Sequence, residues 1–250
     1  MNCKLITYTP DAEKLVAEAA KLCYAKSDIE TLEKNLTPDK VESFLKLLED
    51  VGHESPVEHA SFTFAVEGVS RTLLTQITRH RIASFSVQSQ RYVAKNDFPY
   101  IMPPEIAAIP EAKEEFENAM REDAEHYESL RNKLIAHHLK ANLDAGMPES
   151  EAKKAAEKKA NEDARFVLPN ACDTRIIMTM NTRSLHNFFR LRCCRRAQWE
   201  IRALACEMLR QCREVCPLLF AKAGPSCLWG ACSEGAYSCG MAAEVRKELR

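Results

Sequence analysis

Residues 79–92, RHRIASFSVQSQRY, place three arginines, one histidine, three serines and two glutamines in fourteen positions without a single acid. Guanidinium forks match phosphate oxygens, and serine hydroxyls let a small anion approach closely. Cations at a helix C-terminus would complement its dipole, which explains one or two such charges. That does not cover Arg79, His80 and Arg81 followed by Ser84, Ser86, Ser89 and Arg91, so these residues point to an anion site. If the chain is extended from residue 85 onward, Ser89 and Arg91 share a face. Charge is segregated more widely. Residues 70–95 hold Arg71, Arg79, Arg81, Arg91 and Lys95 with no acid, and residues 175–202 hold seven arginines against Glu200. The balancing acids fall mostly in 105–163.

The second cationic stretch, NTRSLHNFFRLRCCRRAQWEIR, runs from Asn181 to Arg202. On a helix, Arg183, Asn187 and either Arg190 or Leu191 lie along one face, and Arg192 points close to the direction of Asn181. Asn181 and Asn187 offer amide donors and acceptors that suit a heterocycle. The plainer alternative is an exposed basic face with Leu185, Phe188, Phe189 and Leu191 packed inside. Upstream, GHESPVEH (52–59) carries His53, Glu54, Glu58 and His59 in an order reminiscent of a zinc-binding HExxH helix. Its histidines are six apart and turn to different faces, and Gly52 and Pro56 break helices. It reads instead as a loop carrying His53 and Ser55 toward a ligand. Cys216, Cys227, Cys232 and Cys239 could supply zinc with four thiolates, but they lack the tight CxxC knuckle. They read as reduced thiols, and no metal is assigned. With no GxGxxG and no P-loop, any dinucleotide must be held by side chains.

Several elements are needed to position these groups. CKLITYT reads as an opening strand, followed by a helix from about Pro10 to Tyr24. Thr37-Pro38 starts a second helix through Val41, Phe44, Leu45 and Leu48, which Gly52 ends. ASFTFAVE alternates as a strand. Ser70 caps a short helix through Leu73, Leu74 and Ile77 that delivers Arg79, and an irregular or extended stretch then closes in RYV. Residues 111–165 form a charged helical arm or hairpin broken near AGMPES. TRIIMTMN (174–181) is another strand, leading into two helices. The tail after Phe220, which holds four of the seven glycines, reads as loop.

The 250 residues carry a formal net charge of −1, which argues against a general nucleic-acid or membrane-surface binder. No apolar run is long enough to cross a bilayer, and the N-terminus lacks the apolar core of a signal peptide. Eleven cysteines, an odd and irregularly spaced set, read as reduced thiols of a cytoplasmic protein.

RHRIASFSVQSQR fits the signature RHRxxSxxxxSxR of the flavin-dependent thymidylate synthases at Arg79, His80, Arg81, Ser84, Ser89 and Arg91. GHESPVEH, ARFVLPN (164–170), NTRSLHNFFRLR and AQWEIR also resemble that family's segments, in its order. The resemblance implies an α+β fold with a central, largely antiparallel sheet flanked by helices and a helical arm at about 111–164. Residues 1–220 would form a single catalytic domain including the insertion 105–164, with 221–250 as a Cys/Gly-rich tail. It also implies a homotetramer that methylates dUMP to dTMP, with 5,10-methylenetetrahydrofolate as carbon donor and FAD, reduced by NADPH, as hydride source. Carried over position by position, Ser55, Arg79, His80, Arg81, Asn181, Thr182, Arg183 and Asn187 would contact FAD, with His53 near the flavin. Gln76, Arg79, Ser89, Gln90, Arg91, Arg165 and Arg192 would hold dUMP, and Arg192 would favour its N3-deprotonated form. These groups would come from different subunits. Val87 departs from the Glu or Gln common at its position, and the tail has no role in the pattern. The competing class is a non-catalytic nucleotide- or RNA-binding module built on the same arginines.

Overall fold

A computed structural model describes residues 1–91 and 98–250, so the expected Tyr92-Val93 closure lies outside the described residues. The chain forms two compact units. One comprises Met1–Glu67, Thr75–Ser86 and Ile176–Arg250; the other comprises Gly68–Leu74 and Val87–Arg175. The fold is α+β, with a four-stranded sheet in the order β1-β2-β4-β3 made by β1 (Asn2–Tyr8), β2 (Ser61–Ser70), β3 (Ser84–Val87) and β4 (Asp173–Asn181). β1 runs antiparallel to β2, from Asn2 opposite Glu67 to Tyr8 opposite Phe62, with an irregularity between Leu5 and Thr7. Alternation sets which side chains turn inward: Phe62, Phe64 and Val66 are buried on β2, and Ile176, Met178 and Met180 on β4.

In the first unit, α1 (Ala12–Leu22) buries Val16, Ala17 and Ala20. α2 (Ile29–Asn35) is a short helix outside the sequence expectations, and the Asp28 carboxylate caps it by accepting from Thr31 N at 2.8 Å. α3 (Pro38–Val51) buries Val41, Leu45 and Leu48 and ends, as expected, at Gly52 with φ +71°. α4 (Arg71–Ile77), whose first four residues belong to the second unit, follows β2 directly, and Ser70 Oγ accepts from Leu73 N at 3.0 Å, the cap read from the sequence.

In the second unit, α5 (Pro104–Ala107) precedes a hairpin of α6 (Pro110–Asp144) and α7 (Glu149–Ala164), the helical arm expected at 111–164. Ala152, Ala156, Ala160 and Ala164 recur every four residues and are almost wholly buried, which allows close packing of the two helices. Arg131 Nε donates to Asn161 Oδ1 at 2.6 Å, and Asn142 Nδ2 to Ala152 O at 3.1 Å, so polar ties reinforce the hairpin.

After β4 the first unit resumes with α8 (Thr182–Arg192) and α9 (Trp199–Val215). Phe62, Phe189 and the edge-on Phe220 meet in its core. The tail departs from the loop expected of it. It makes two 3-10 turns and a helix, α10 (Ala242–Leu249), whose Val245 packs with Cys227 and Leu228. With one buried apolar residue, so short a helix has no periodicity to read. Among the described residues no helix is long and apolar enough to cross a membrane.

Gly52 has open space where a Cβ would sit, so Gly52→Ala tests its left-handed backbone alone. The expected loss is about 1 kcal/mol in denaturant unfolding at unchanged m-value; an unchanged midpoint would contradict the assignment.

Candidate active site

A cleft of about 860 Å³ in the first unit gathers residues from three stretches of sequence. Arg79, His80 and Arg81 come from the segment after α4, Glu54 and Glu58 from the segment before β2, and Asn181, Arg183, Asn187, Arg190 and Arg192 from the start and outer face of α8. Asn181 is the N-cap of α8, its Oδ1 accepting from Ser184 N at 2.8 Å, so this oxygen is committed and its amide NH2 remains. Arg190 donates to Asn187 Oδ1 at 3.1 Å, consistent with their shared face. Arg183 meets acids that sequence proximity concealed. Its Nε lies 3.1 Å from Glu54 and its Nη1 2.5 Å from Glu58, and these carboxylates raise its pKa. Arg79 and Arg81 form no ion pair among the described residues.

His80 and Arg192 are bonded across 112 residues: Arg192 Nε donates to His80 Nε2 at 3.1 Å. Arginine can only donate, so His80 is neutral and keeps its proton on Nδ1. Its ring sits edge-on to Phe188, centroids 4.9 Å apart, which fixes its plane. Burial first, and the Arg192 cation second, lower the His80 pKa. Burial first, and the neighbouring Arg79 cation second, lower the Arg192 pKa in turn. Two neighbouring guanidinium groups, neither ion-paired to a carboxylate among the described residues, favour the arrival of an anion.

The remaining expected residues fall elsewhere. His53 lines a smaller cavity of about 260 Å³ with Leu45, Leu48 and Lys222, and that cavity shares Glu54, His186 and Arg190 with the cleft. Ser55 is exposed before a 3-10 turn, Pro56–His59, and Gln76 is half-buried on α4. Thr182 is fully buried and its hydroxyl donates to Ala60 O at 3.2 Å, so its side chain anchors α8 and is not presented to a ligand. In the second unit, the extended path assumed for 85–91 stops at Val87. Arg91 N donates to Ser89 Oγ at 3.2 Å in a turn, so the alternating-face argument does not hold there. Gln90 is buried with its amide on Cys172 Sγ. Arg91 pairs with Glu162 at 2.9 Å, Asn161 Nδ2 holds Arg91 O at 3.2 Å, and Arg165 Nε donates to Glu162 O at 3.0 Å. Arg91 and Arg165 thus converge at the end of α7, and Arg91 Nε is buried without a partner. Glu162 and Asn161 escaped the sequence reading; only the acidic balance of the arm hinted at them.

The architecture matches a crystal structure of flavin-dependent thymidylate synthase ThyX from Helicobacter pylori complexed with FAD and dUMP. The TM-score is 0.58 over 90% of this chain and 100% of that one, at 24% identity, so this likeness establishes the fold. The family model for thymidylate synthase complementing protein matches residues 4–218. A flavin-dependent thymidylate synthase of Clostridium tetani is 53% identical over 247 residues, spanning 99% of this chain and 96% of that relative. One from Geobacter sulfurreducens is 47% identical over 252 residues, spanning 100% and 98%. The chain belongs to the flavin-dependent thymidylate synthase family.

The His80 assignment has a pH signature. Below the ordinary histidine value of 6.5, the unfolded chain takes up a proton that folded His80 resists. Its contribution to stability therefore falls as pH drops from 6.5 to the folded pKa and is constant below that. NMR titration of the His80 ring is expected to give a midpoint below 6.5. A midpoint at or above that value would mean the imidazole is not Arg192's neutral acceptor.

Proposed function

We propose that this chain catalyses the reductive methylation of dUMP to dTMP. It would take the carbon from 5,10-methylenetetrahydrofolate and the reducing equivalents from NADPH, working as a cytoplasmic homotetramer with active sites shared between subunits. Family membership supports the activity, and one structural observation carries the reading to these residues: the signature cations Arg79 and Arg81, with Arg192, line the cleft and form no ion pair among the described residues.

The donor set suits FAD. Five arginines against two glutamates give the cleft the sign a diphosphate requires, and Asn181 and Asn187 offer amides for a heterocycle. Arg79, Arg81 and Arg183 would hold the diphosphate, with His80, Asn181 and Asn187 alongside, and Ser55 and His53 toward the rim. Thr182 would serve through its anchoring of α8. Bound FAD supplies hydride chemistry that no side chain can.

Gln76, Arg79, Ser89, Gln90, Arg91, Arg165 and Arg192 would hold dUMP. The orphaned Arg91 Nε–H has the chemistry of a phosphate donor, and Glu162 keeps the guanidinium in place until an anion competes for it. Arg192 has the chemical task. A cation beside the uracil favours loss of the N3 proton, which raises electron density at C5 where the new carbon attaches. Neutral His80 serves Arg192 by orienting its guanidinium without neutralising it. Val87 lies at the end of β3 and offers only its backbone at the place where the family resemblance implies a Glu or Gln.

The purified protein should bind flavin and oxidise NADPH faster once dUMP is added. Arg192→Ala should keep its flavin absorbance while dTMP formation falls by about 100-fold. Colourless protein that binds RNA in a steeply salt-dependent way would replace this reading with that of a binding module.

A further inference from the structure

We infer that Asn161 on α7, itself set by Arg131 on α6, is a positioning residue that aims Arg91 at the substrate phosphate. This role presupposes that Arg91 holds dUMP, as proposed above. All three residues belong to the second unit. α7 buries a stripe of alanines, and Asn161 lies beside that stripe at 5% exposure. A buried amide in a helix interior is costly unless its donors and its acceptor are met. Asn161 meets them with groups outside its own helix. Its Oδ1 accepts from Arg131 Nε at 2.6 Å, and its Nδ2 donates to Arg91 O at 3.2 Å. An arginine can only donate, so Arg131 turns the amide oxygen toward itself and the NH2 toward the Arg91 carbonyl. A flipped amide would set N–H against N–H and oxygen against oxygen. The relay therefore has a direction: α6 orients the amide, and the amide holds the backbone of the signature segment.

Arg91 is also held elsewhere. Its N–H donates to Ser89 Oγ at 3.2 Å, and its Nη2 lies 2.9 Å from the Glu162 carboxylate. Glu162 O accepts from Arg165 Nε at 3.0 Å, so the neighbours Asn161 and Glu162 fix both arginines from one end of α7. Their contributions differ. Glu162 competes with a phosphate for the same guanidinium, and its half-exposed pair with Arg91 is weak enough to yield. Asn161 holds only the backbone, so its grip survives the arrival of substrate. The Arg91 Nε–H, buried without a partner, stays free to donate. The relay also gives the helical arm a task beyond packing. Asn142 Nδ2 bonds Ala152 O at 3.1 Å and reinforces the same hairpin near its turn. The two asparagines thus separate hairpin stability from the aim of Arg91.

Steady-state dTMP formation by the flavin-loaded full chain, with dUMP varied, tests this. Asn161→Leu is similar in volume and adds no charge. It should raise the KM for dUMP by about tenfold while kcat and flavin absorbance are kept, because the lost hold weakens bound substrate and transition state alike. Asn142→Leu removes a hairpin tie alone and should leave KM unchanged. Should Asn161→Leu fail to fold, Asn161→Asp decides, since it keeps the oxygen that Arg131 needs and offers Arg91 no N–H. Its rise in KM over the unaltered chain should persist at about 0.5 M salt, where the field of a new carboxylate is screened. An unchanged KM in a folded Asn161 variant, an equal rise in Asn142→Leu, or a rise in Asn161→Asp that salt abolishes would overturn the positioning role and leave the enzymatic reading standing. An unaltered chain that forms no dTMP would overturn both.

Discussion

The bond from Arg192 to a neutral imidazole at His80, with Arg79 near enough to lower the Arg192 pKa, is the constraint on which the site depends. Like charges at short range repel, and burial adds to the cost, so the pair persists only because the fold holds both backbones in place. Arg192 ends α8, whose first turn is bonded to Ala60 through Thr182 and capped by Asn181. His80 follows α4 and is fixed by Phe188, a core residue of α8. A carboxylate in place of the imidazole would relieve the strain and also remove the cleft's appetite for anions. Neutral nitrogen orients the guanidinium and leaves its charge available.

Most other arginines in the second basic stretch have a different occupation. Arg195 and Arg202 both pair with Glu248 of α10, Arg196 with Glu234, and Arg183 with Glu54 and Glu58. An apparent excess of seven cations over one acid is thus largely a matter of partners distant in sequence. Exposed pairs of this kind add little stability. Their effect here is to fix where the tail and the segment before β2 lie, with Arg183 and its two glutamates doing so inside the cleft itself.

Local signals were legible and long-range ones were not. The Ser70 cap, the Gly52 terminus, the alternation in β2 and β4 and the helical arm all follow from contacts within a few residues, which one sequence encodes directly. α2 escaped because a seven-residue helix with one buried leucine has no pattern beyond its Asp28 cap. Arg79, His80 and Arg81 stood out by composition. Glu162 as the partner of Arg91, and Thr182 as an anchor, needed the fold: each bond joins residues more than 70 positions apart.

A turn replaces the alternation expected of an extended stretch at 85–91. A strand would put Ser89 and Arg91 on one face, because side chains two apart share it. The chain instead turns, and the Ser89 hydroxyl accepts from the Arg91 backbone N–H. That bond presets the turn, while Asn161 holds the Arg91 carbonyl and Glu162 its guanidinium. An arginine braced on both backbone groups and on one side-chain nitrogen has little conformational freedom left to lose when an anion arrives. The serine interleaved among the cations therefore acts first on the backbone geometry that aims them.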